Sequence, residues 1–201
     1  MKLDIVVSSF VSILLIFSMT FLTQVAAAQQ APAKNGAPPS DPGWKKNRFI
    51  RSDINLAEKA QNLVDKGKYN KAAGVYGKMV KRAKSVGNEA YALRMKARSL
   101  FKARKLNKAY AVYKKLGNSF PRYTPYEQVN MQLRRIAAAF ASGKASLLGV
   151  SNLARAREIY QAILAFAPVG KKASEDLMHL AELQGQSEMN EEAMATYRKI
   201  M

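Results

Sequence analysis

Apolar residues recur along this chain at the spacing of a helix, and one three-residue pattern occurs four times. Each copy has an alanine, a tyrosine four positions later, and a methionine or aliphatic residue seven positions after the alanine. The copies are Ala72, Tyr76 and Met79; Ala109, Tyr113 and Leu116; Ala156, Tyr160 and Ile163; and Ala193, Tyr197 and Ile200. Residues at this spacing share one face of an α-helix, so the pattern predicts four amphipathic helices with the same packing role.

A second apolar stripe at helical spacing precedes each copy. The stripes are Leu56, Ala60 and Leu63; Leu93, Ala97 and Leu100; Leu133, Ala137 and Phe140; and Leu177 and Ala181, followed by Gln184. Turn residues lie within pairs at Lys66-Gly67, Gly143 and Gly185-Gln186, and between pairs at Gly87-Asn88, Pro121, Pro125 and Pro168–Gly170. Because one helix pair cannot cover its own apolar face, the sequence predicts pairs that stack on one another.

This arrangement resembles the tetratricopeptide repeat (TPR) family, whose repeating unit is a pair of helices. Lys66-Gly67-Lys68-Tyr69 matches the turn of that unit, and Pro168 lies where a proline closes it. The resemblance covers residues 53–201, with repeats near 53–87, 88–122, 126–169 and 171–201. It implies an all-α fold, a short right-handed solenoid of four helix pairs whose first helices line a concave groove. The third repeat is lengthened by a loop at residues 141–152.

The N-terminal residues have the composition of an export signal. Residues 1–28 contain Lys2, an apolar run from Ile5 to Leu22, and three alanines at Ala26–Ala28, where a signal peptide would be cleaved. The run is also long enough for an uncleaved anchor, although its serines favour cleavage. Residues 29–43 carry four prolines and two glycines and predict a linker before a helical domain at 44–201. The sequence thus predicts export to the periplasm or the extracellular space, with membrane tethering if residues 1–28 remain.

The composition leaves little room for catalytic chemistry. Cys is absent, which excludes disulfides, thiolate metal sites and a cysteine nucleophile. The one histidine, His179, is predicted to be an ordinary helix-surface residue. Residues Ser142–Ser146 lack the glycine spacing of a phosphate-binding loop and the Ser or Thr after its lysine. We therefore predict no enzyme activity, no cofactor and no metal site.

The formal net charge of +19 is concentrated in the first three predicted repeats. Residues 44–172 carry 29 Lys and Arg against 6 Asp and Glu, whereas residues 173–201 carry 2 against 6. The register of the resemblance, counted from Ala97, places a basic and aromatic set in the groove. This set is Tyr91, Arg94, Arg98, Phe101 and Lys102, with Arg134 at the position equivalent to Arg94. Guanidinium groups beside aromatic rings predict an acidic peptide that carries an aromatic residue as the partner.

A second set of basic residues supports an alternative partner. Lys78, Lys81, Arg82, Lys84, Lys114 and Lys115 are predicted to form a basic flank facing anionic lipid or lipopolysaccharide. Nucleic acid would also fit the charge, but export argues against it.

Among exported repeat proteins, the chain resembles two kinds of Gram-negative envelope protein. These are the lipoprotein partner of the outer-membrane β-barrel assembly machine and the periplasmic repeat domains of cell-division coordinators. The absence of a lipid-bearing cysteine is a departure from the first kind. The resemblance implies a protein-interaction scaffold of the cell envelope that binds other envelope proteins. Since no polar capping helix follows the last predicted helix, a partner, a second copy or further sequence is expected to cover its apolar face.

Overall fold

A computed structural model of the chain describes residues 51–146 and 148–200, and all regular structure in this part is helical. The α-helices are α1 (Arg51–Asp65), α2 (Tyr69–Arg82), α3 (Val86–Lys102), α4 (Leu106–Ser119), α5 (Tyr126–Ala141), α6 (Leu153–Phe166), α7 (Ala173–Gly185) and α8 (Asn190–Tyr197). A short 3-10 helix, Pro121–Tyr123, lies between α4 and α5. The all-α prediction is confirmed for these residues. The predicted signal and linker, residues 1–43, lie outside them.

The helices pack in the order in which they occur in the chain. Each contacts the next, and α4 also contacts α6. Because short connections join helices that pack together, neighbouring helices run in opposite directions and form the pairs α1–α2, α3–α4, α5–α6 and α7–α8. Between residues 51 and 200, none of the described helices has the length and apolar character that a bilayer crossing requires.

Small residues occupy the contacts between helices. Seven of the eight alanines of the two stripes have no exposed surface, and the eighth, Ala193, is 5% exposed; the seven are Ala60, Ala72, Ala97, Ala109, Ala137, Ala156 and Ala181. The tyrosines Tyr76, Tyr113 and Tyr160 are buried beside them. An alanine lets two helix axes approach closely, and a large side chain one turn away fills the groove next to the contact. Three of the four predicted packing motifs are therefore confirmed.

The fourth copy of the motif packs differently. Tyr197 is 40% exposed, so its predicted role as a core residue is wrong. The buried residues of α8 are Ala193 and Thr196, and the Thr196 hydroxyl donates to the side-chain oxygen of buried Gln184 at 2.8 Å. Another described helix follows each of the first three pairs and packs against it, whereas no described helix packs beyond α8. The contact between α7 and α8 thus adds a polar bond to the alanine contact and leaves the tyrosine outside.

Two predicted turns have different outcomes. Gly87-Asn88, predicted to separate two pairs, lies inside α3, because Ser85 caps that helix by accepting a hydrogen bond from the Asn88 backbone at 3.2 Å. The long loop of repeat three is confirmed between α5 and α6. Its Gly143 has φ +75° and approaches the Gly149 carbonyl so closely that a Cβ would lie 1.9 Å from the oxygen. The loop therefore depends on glycine at this position.

Replacing Tyr76 by Ala should lower the free energy of unfolding by about 3–5 kcal/mol, because the ring is 1% exposed and its loss leaves a cavity. The matched variant Tyr197→Ala should cost about 1 kcal/mol or less, since that ring is largely solvated. Urea denaturation followed by circular dichroism measures both. Equal losses for the two variants would contradict the packing described here.

Candidate functional site: a groove over α1, α3 and α5

An open groove of about 640 Å³ lies over the first helices of three successive pairs. It is lined by Gln61 of α1; Tyr91, Arg94, Met95 and Arg98 of α3; Gln128, Val129, Met131 and Gln132 of α5; and Tyr113 of α4. We call this set the α1–α3–α5 groove. Tyr91, Arg94, Met95 and Arg98 follow helical spacing, so they form one face of α3, while Leu93, Ala97 and Leu100 pack in the core.

The groove is positively charged. Among the described residues, Arg94 and Arg98 are its charged lining residues, and no Asp or Glu of that part of the chain lines it. The Arg94 guanidinium carbon lies 5.9 Å from the centroid of the Tyr91 ring, within the range of a cation–π contact. The amides of Gln61, Gln128 and Gln132 add donors and acceptors of the kind that an extended peptide backbone can use.

Tyr113 contributes both to the core and to the groove. Burial raises the pKa of Tyr113 to about 12, although the positive charges of Arg98 and Arg94 act in the opposite direction. The phenol therefore stays protonated at neutral pH and keeps its hydrogen-bonding capacity beside the two guanidinium groups.

A smaller cavity of about 130 Å³ shares Gln61, Met95 and Arg98 with the groove. Lys102 lines this cavity, and its ammonium lies 5.3 Å from the centroid of the Tyr69 ring. Asp65 lines it too and accepts a hydrogen bond of 2.8 Å from Gln61. The carboxylate makes this end less positive than the stretch beside Arg94 and Arg98.

The structure divides the six predicted groove residues. Tyr91, Arg94 and Arg98 line the α1–α3–α5 groove, and Lys102 lines the adjoining cavity. Phe101 is partly buried against the core cluster and lines neither cavity.

Arg134 also lies outside both cavities, because a carboxylate of this chain binds it. Its Nε and Nη2 donate to Oδ1 and Oδ2 of Asp176 at 2.6 and 2.7 Å. Asp176 is buried in α7, and this hydrogen bonding raises the pKa of Arg134 further above its ordinary value. The guanidinium is thus used to join α5 to α7.

Several groove residues were missed by the sequence analysis, although the alanine register could have found two of them. Gln61 follows Ala60 as Arg98 follows Ala97, and Met131 precedes Ala137 by the same six positions that separate Tyr91 from Ala97. Gln128 and Gln132 carry no charge pattern that would have singled them out. Tyr113 was predicted only as a packing residue.

The basic flank predicted for an anionic surface is mostly exposed. Lys78, Lys81, Arg82, Lys84 and Lys115 are solvent-exposed, and neither α2 nor α4 contains an Asp or Glu. Lys114 differs, because its ammonium donates to Glu158 Oε1 at 3.0 Å.

Glu158 gathers three partners at the contact between α4 and α6. Its Oε1 accepts hydrogen bonds of 3.0 Å from both the Tyr110 hydroxyl and Lys114, and its Oε2 pairs with Arg155. Partial burial alone would raise the pKa of Glu158, but the bonds from Lys114 and Tyr110 and the charge of Arg155 outweigh it, so the pKa is lowered. These contacts hold α4 against α6.

Comparison with models of known protein families and with curated proteins finds no match.

The lowered pKa of Glu158 predicts a pH-dependent contribution to stability. A carboxylate whose pKa is lowered by folding stabilises the fold at every pH above its ordinary pKa of 4.5. This contribution is lost as the pH falls below that value. The difference in urea midpoint between wild type and Glu158→Gln should be constant from pH 7 to pH 5 and shrink in more acidic buffer. Glu58→Gln, at an exposed position of α1, is the control. A difference that persists unchanged until acid unfolding would contradict the prediction.

Proposed function

We propose that this chain is an exported, non-enzymatic protein-interaction scaffold of the cell envelope. It binds acidic peptide segments that carry an aromatic residue in the α1–α3–α5 groove. The observation that carries the proposal is the groove itself, which crosses three helices and whose described lining combines two arginines with tyrosines and glutamines.

We further propose that the four helix pairs form a short, right-handed, TPR-like solenoid. Two features support this proposal. Each pair contacts the next in chain order, and the groove is built mainly from the first helices of successive pairs. In such an array the first helices form the inner wall, where an extended ligand can contact several pairs at once.

Equivalent positions of successive pairs differ in charge. Arg134 lies three positions before Ala137, and Asp176 lies five positions before Ala181 of the next pair. The equivalent positions one pair earlier are Arg94 and Gln132, and both line the groove. The pair that binds a carboxylate internally thus has a counterpart in which the carboxylate position holds a neutral amide.

The expected affinity is moderate. A hydrogen bond between a guanidinium and a carboxylate contributes about 1.5–3 kcal/mol when water is partly excluded. Ordering a flexible peptide opposes this gain, so a dissociation constant in the micromolar range, about −8 kcal/mol, is expected.

Replacing Arg98 by Ala should weaken binding of an acidic peptide about 10- to 100-fold, because one charge-assisted contact is lost. The probe is a fluorescein-labelled peptide of alternating glutamate and glycine with one central phenylalanine, and fluorescence polarisation measures its dissociation constant. Gln132→Asp should also weaken binding, because it places a carboxylate in the lining of the groove that repels an acidic peptide, whereas Gln132→Asn should retain most of the affinity.

The control is Lys115→Ala, which removes one positive charge from exposed α4, away from the groove. It should leave the affinity within about twofold, since exposed charges are screened over roughly 10 Å at 0.1 M salt. If Lys115→Ala weakens binding as much as Arg98→Ala, the peptide responds to the overall charge of the protein, and the groove proposal fails.

A further inference from the structure

The turns within the four helix pairs lie along one side of the array. Lys102, at the end of α3, contacts the ring of Tyr69, at the start of α2. Tyr110 near the start of α4 binds Glu158 near the start of α6, and Arg157 donates to Ser187 in the α7–α8 turn. Each contact joins the turn region of one pair to that of the next. We call this side, formed by residues 66–68, 103–105, 142–146, 148–152 and 186–189, the turn edge.

The first three turns are basic. Their charged residues are Lys66, Lys68, Arg104, Lys105 and Lys144, all solvent-exposed. No ion pair between described residues includes any of the five. The groove proposal uses none of them, since they line neither cavity.

The third turn also projects two aliphatic side chains into solvent. Leu148 is 88% exposed and Val150 is 63% exposed, on the loop that lengthens the third repeat. This loop is held at both ends by the last turns of α5, because Ala145 donates to the Ala139 carbonyl at 2.9 Å and Asn152 to the Phe140 carbonyl at 2.8 Å. A three-residue turn suffices to join α1 to α2 and α3 to α4. The extra length therefore presents aliphatic side chains that the fold itself does not bury.

We propose that the turn edge binds the surface of a bilayer that contains anionic phospholipid. The basic turns attract the headgroups, and Leu148 and Val150 enter the boundary between headgroups and acyl chains. A row of cations combined with an inserted aliphatic loop provides the two attractions of a peripheral membrane protein, one electrostatic and one hydrophobic. This site differs from the basic flank on α2 and α4, which offers charge without a projecting loop.

The fourth pair limits the contact and orients it. Its turn carries Glu188, and α8 opens with Glu191 and Glu192. An anionic surface repels these carboxylates, so the first three pairs face the bilayer and the fourth is turned away from it.

The opposite side of the array is the natural control. It carries exposed Lys84, Arg122 and Lys171 and the exposed side chains of Val86, Tyr123 and Val169. Tyr123 packs over Gly87, where an added Cβ would lie 3.3 Å from the ring, Val86 is the first residue of α3, and Val169 lies in a short connection. This side therefore offers three exposed cations against five on the turn edge, and it lacks a loop with two projecting aliphatic residues.

Because the chain contains no cysteine, single cysteines can report on either side in the full-length protein. Ser151→Cys places an environment-sensitive fluorophore on the turn edge, and Ser174→Cys places it at the start of α7 on the opposite side. Vesicles of phosphatidylcholine with phosphatidylglycerol should shift the emission of the first label to shorter wavelength and leave the second unchanged. Vesicles of phosphatidylcholine alone should shift neither label. Because the readout is local, binding through residues 1–28 does not mimic it.

Two triple variants remove equal charge. Replacing Lys66, Arg104 and Lys144 by Ala should weaken the affinity for the anionic vesicles about 100-fold, as measured by the emission shift. Each basic residue near an anionic surface contributes about fivefold to that affinity. Replacing Lys84, Arg122 and Lys171 by Ala should change it by less than about fivefold. The double variant Leu148→Ser with Val150→Ser should abolish the emission shift while keeping the charge.

Several outcomes would overturn the proposal: equal effects of the two triple variants, a response of the Ser174→Cys label, or a response that survives the loop variant. A Ser151→Cys label that responds to polyglutamate but not to vesicles would make the turn edge a protein-binding surface and would also overturn it. Since the groove arginines are intact in every variant, peptide binding in the groove is tested separately by fluorescence polarisation.

Discussion

The close contact of helices at fully buried alanines is the constraint on which the rest of the structure depends. Ala60, Ala97 and Ala137 have no exposed surface, and each fixes the rotation of its helix relative to its neighbours. Once an alanine is placed at the contact, helical geometry decides which way every other side chain of that helix points. The alignment of groove residues from α1, α3 and α5 on one side follows from this placement, because the same register is repeated in successive pairs.

Arginines at equivalent positions of successive pairs lie in different surroundings. Arg134 and Arg94 occupy equivalent positions, yet Arg134 is held by buried Asp176 while Arg94 lines an open groove opposite Gln132. A buried carboxylate needs a charged partner, so Asp176 ties α5 to α7 and removes one arginine from the available surface. The buried Asp176 thus places Arg134 in the contact between α5 and α7, whereas Arg94 and Arg98 line the groove.

Sequence patterns predicted the features that depend on local spacing and missed those that depend on distant partners. The alanine and tyrosine positions of the first three pairs were predicted because periodicity alone identifies a helix face. The sequence could not show that Arg134 is bound internally, since Asp176 lies 42 positions away on another helix. Exposure of Tyr197 depends on what packs beyond α8, and the helical start at Val86 depends on the side chain of Ser85. Of the five groove residues counted along α3 from Ala97, four line a cavity and Phe101 does not. The groove glutamines are neutral, so the charge pattern could not identify them.

The two proposed surfaces use different cations, and the difference has a physical basis. The groove presents Arg94 and Arg98, whereas four of the five charged residues on the first three turns are lysines. A guanidinium binds a carboxylate in a fixed two-point geometry, as Arg134 does with Asp176, so arginine suits a site that must recognise a shaped ligand. A lysine is a flexible point charge that attracts a diffuse anionic layer without requiring a particular geometry. The two proposals thus assign selective binding of a peptide to the arginines of the groove and unselective attraction to a surface mainly to the lysines of the turns.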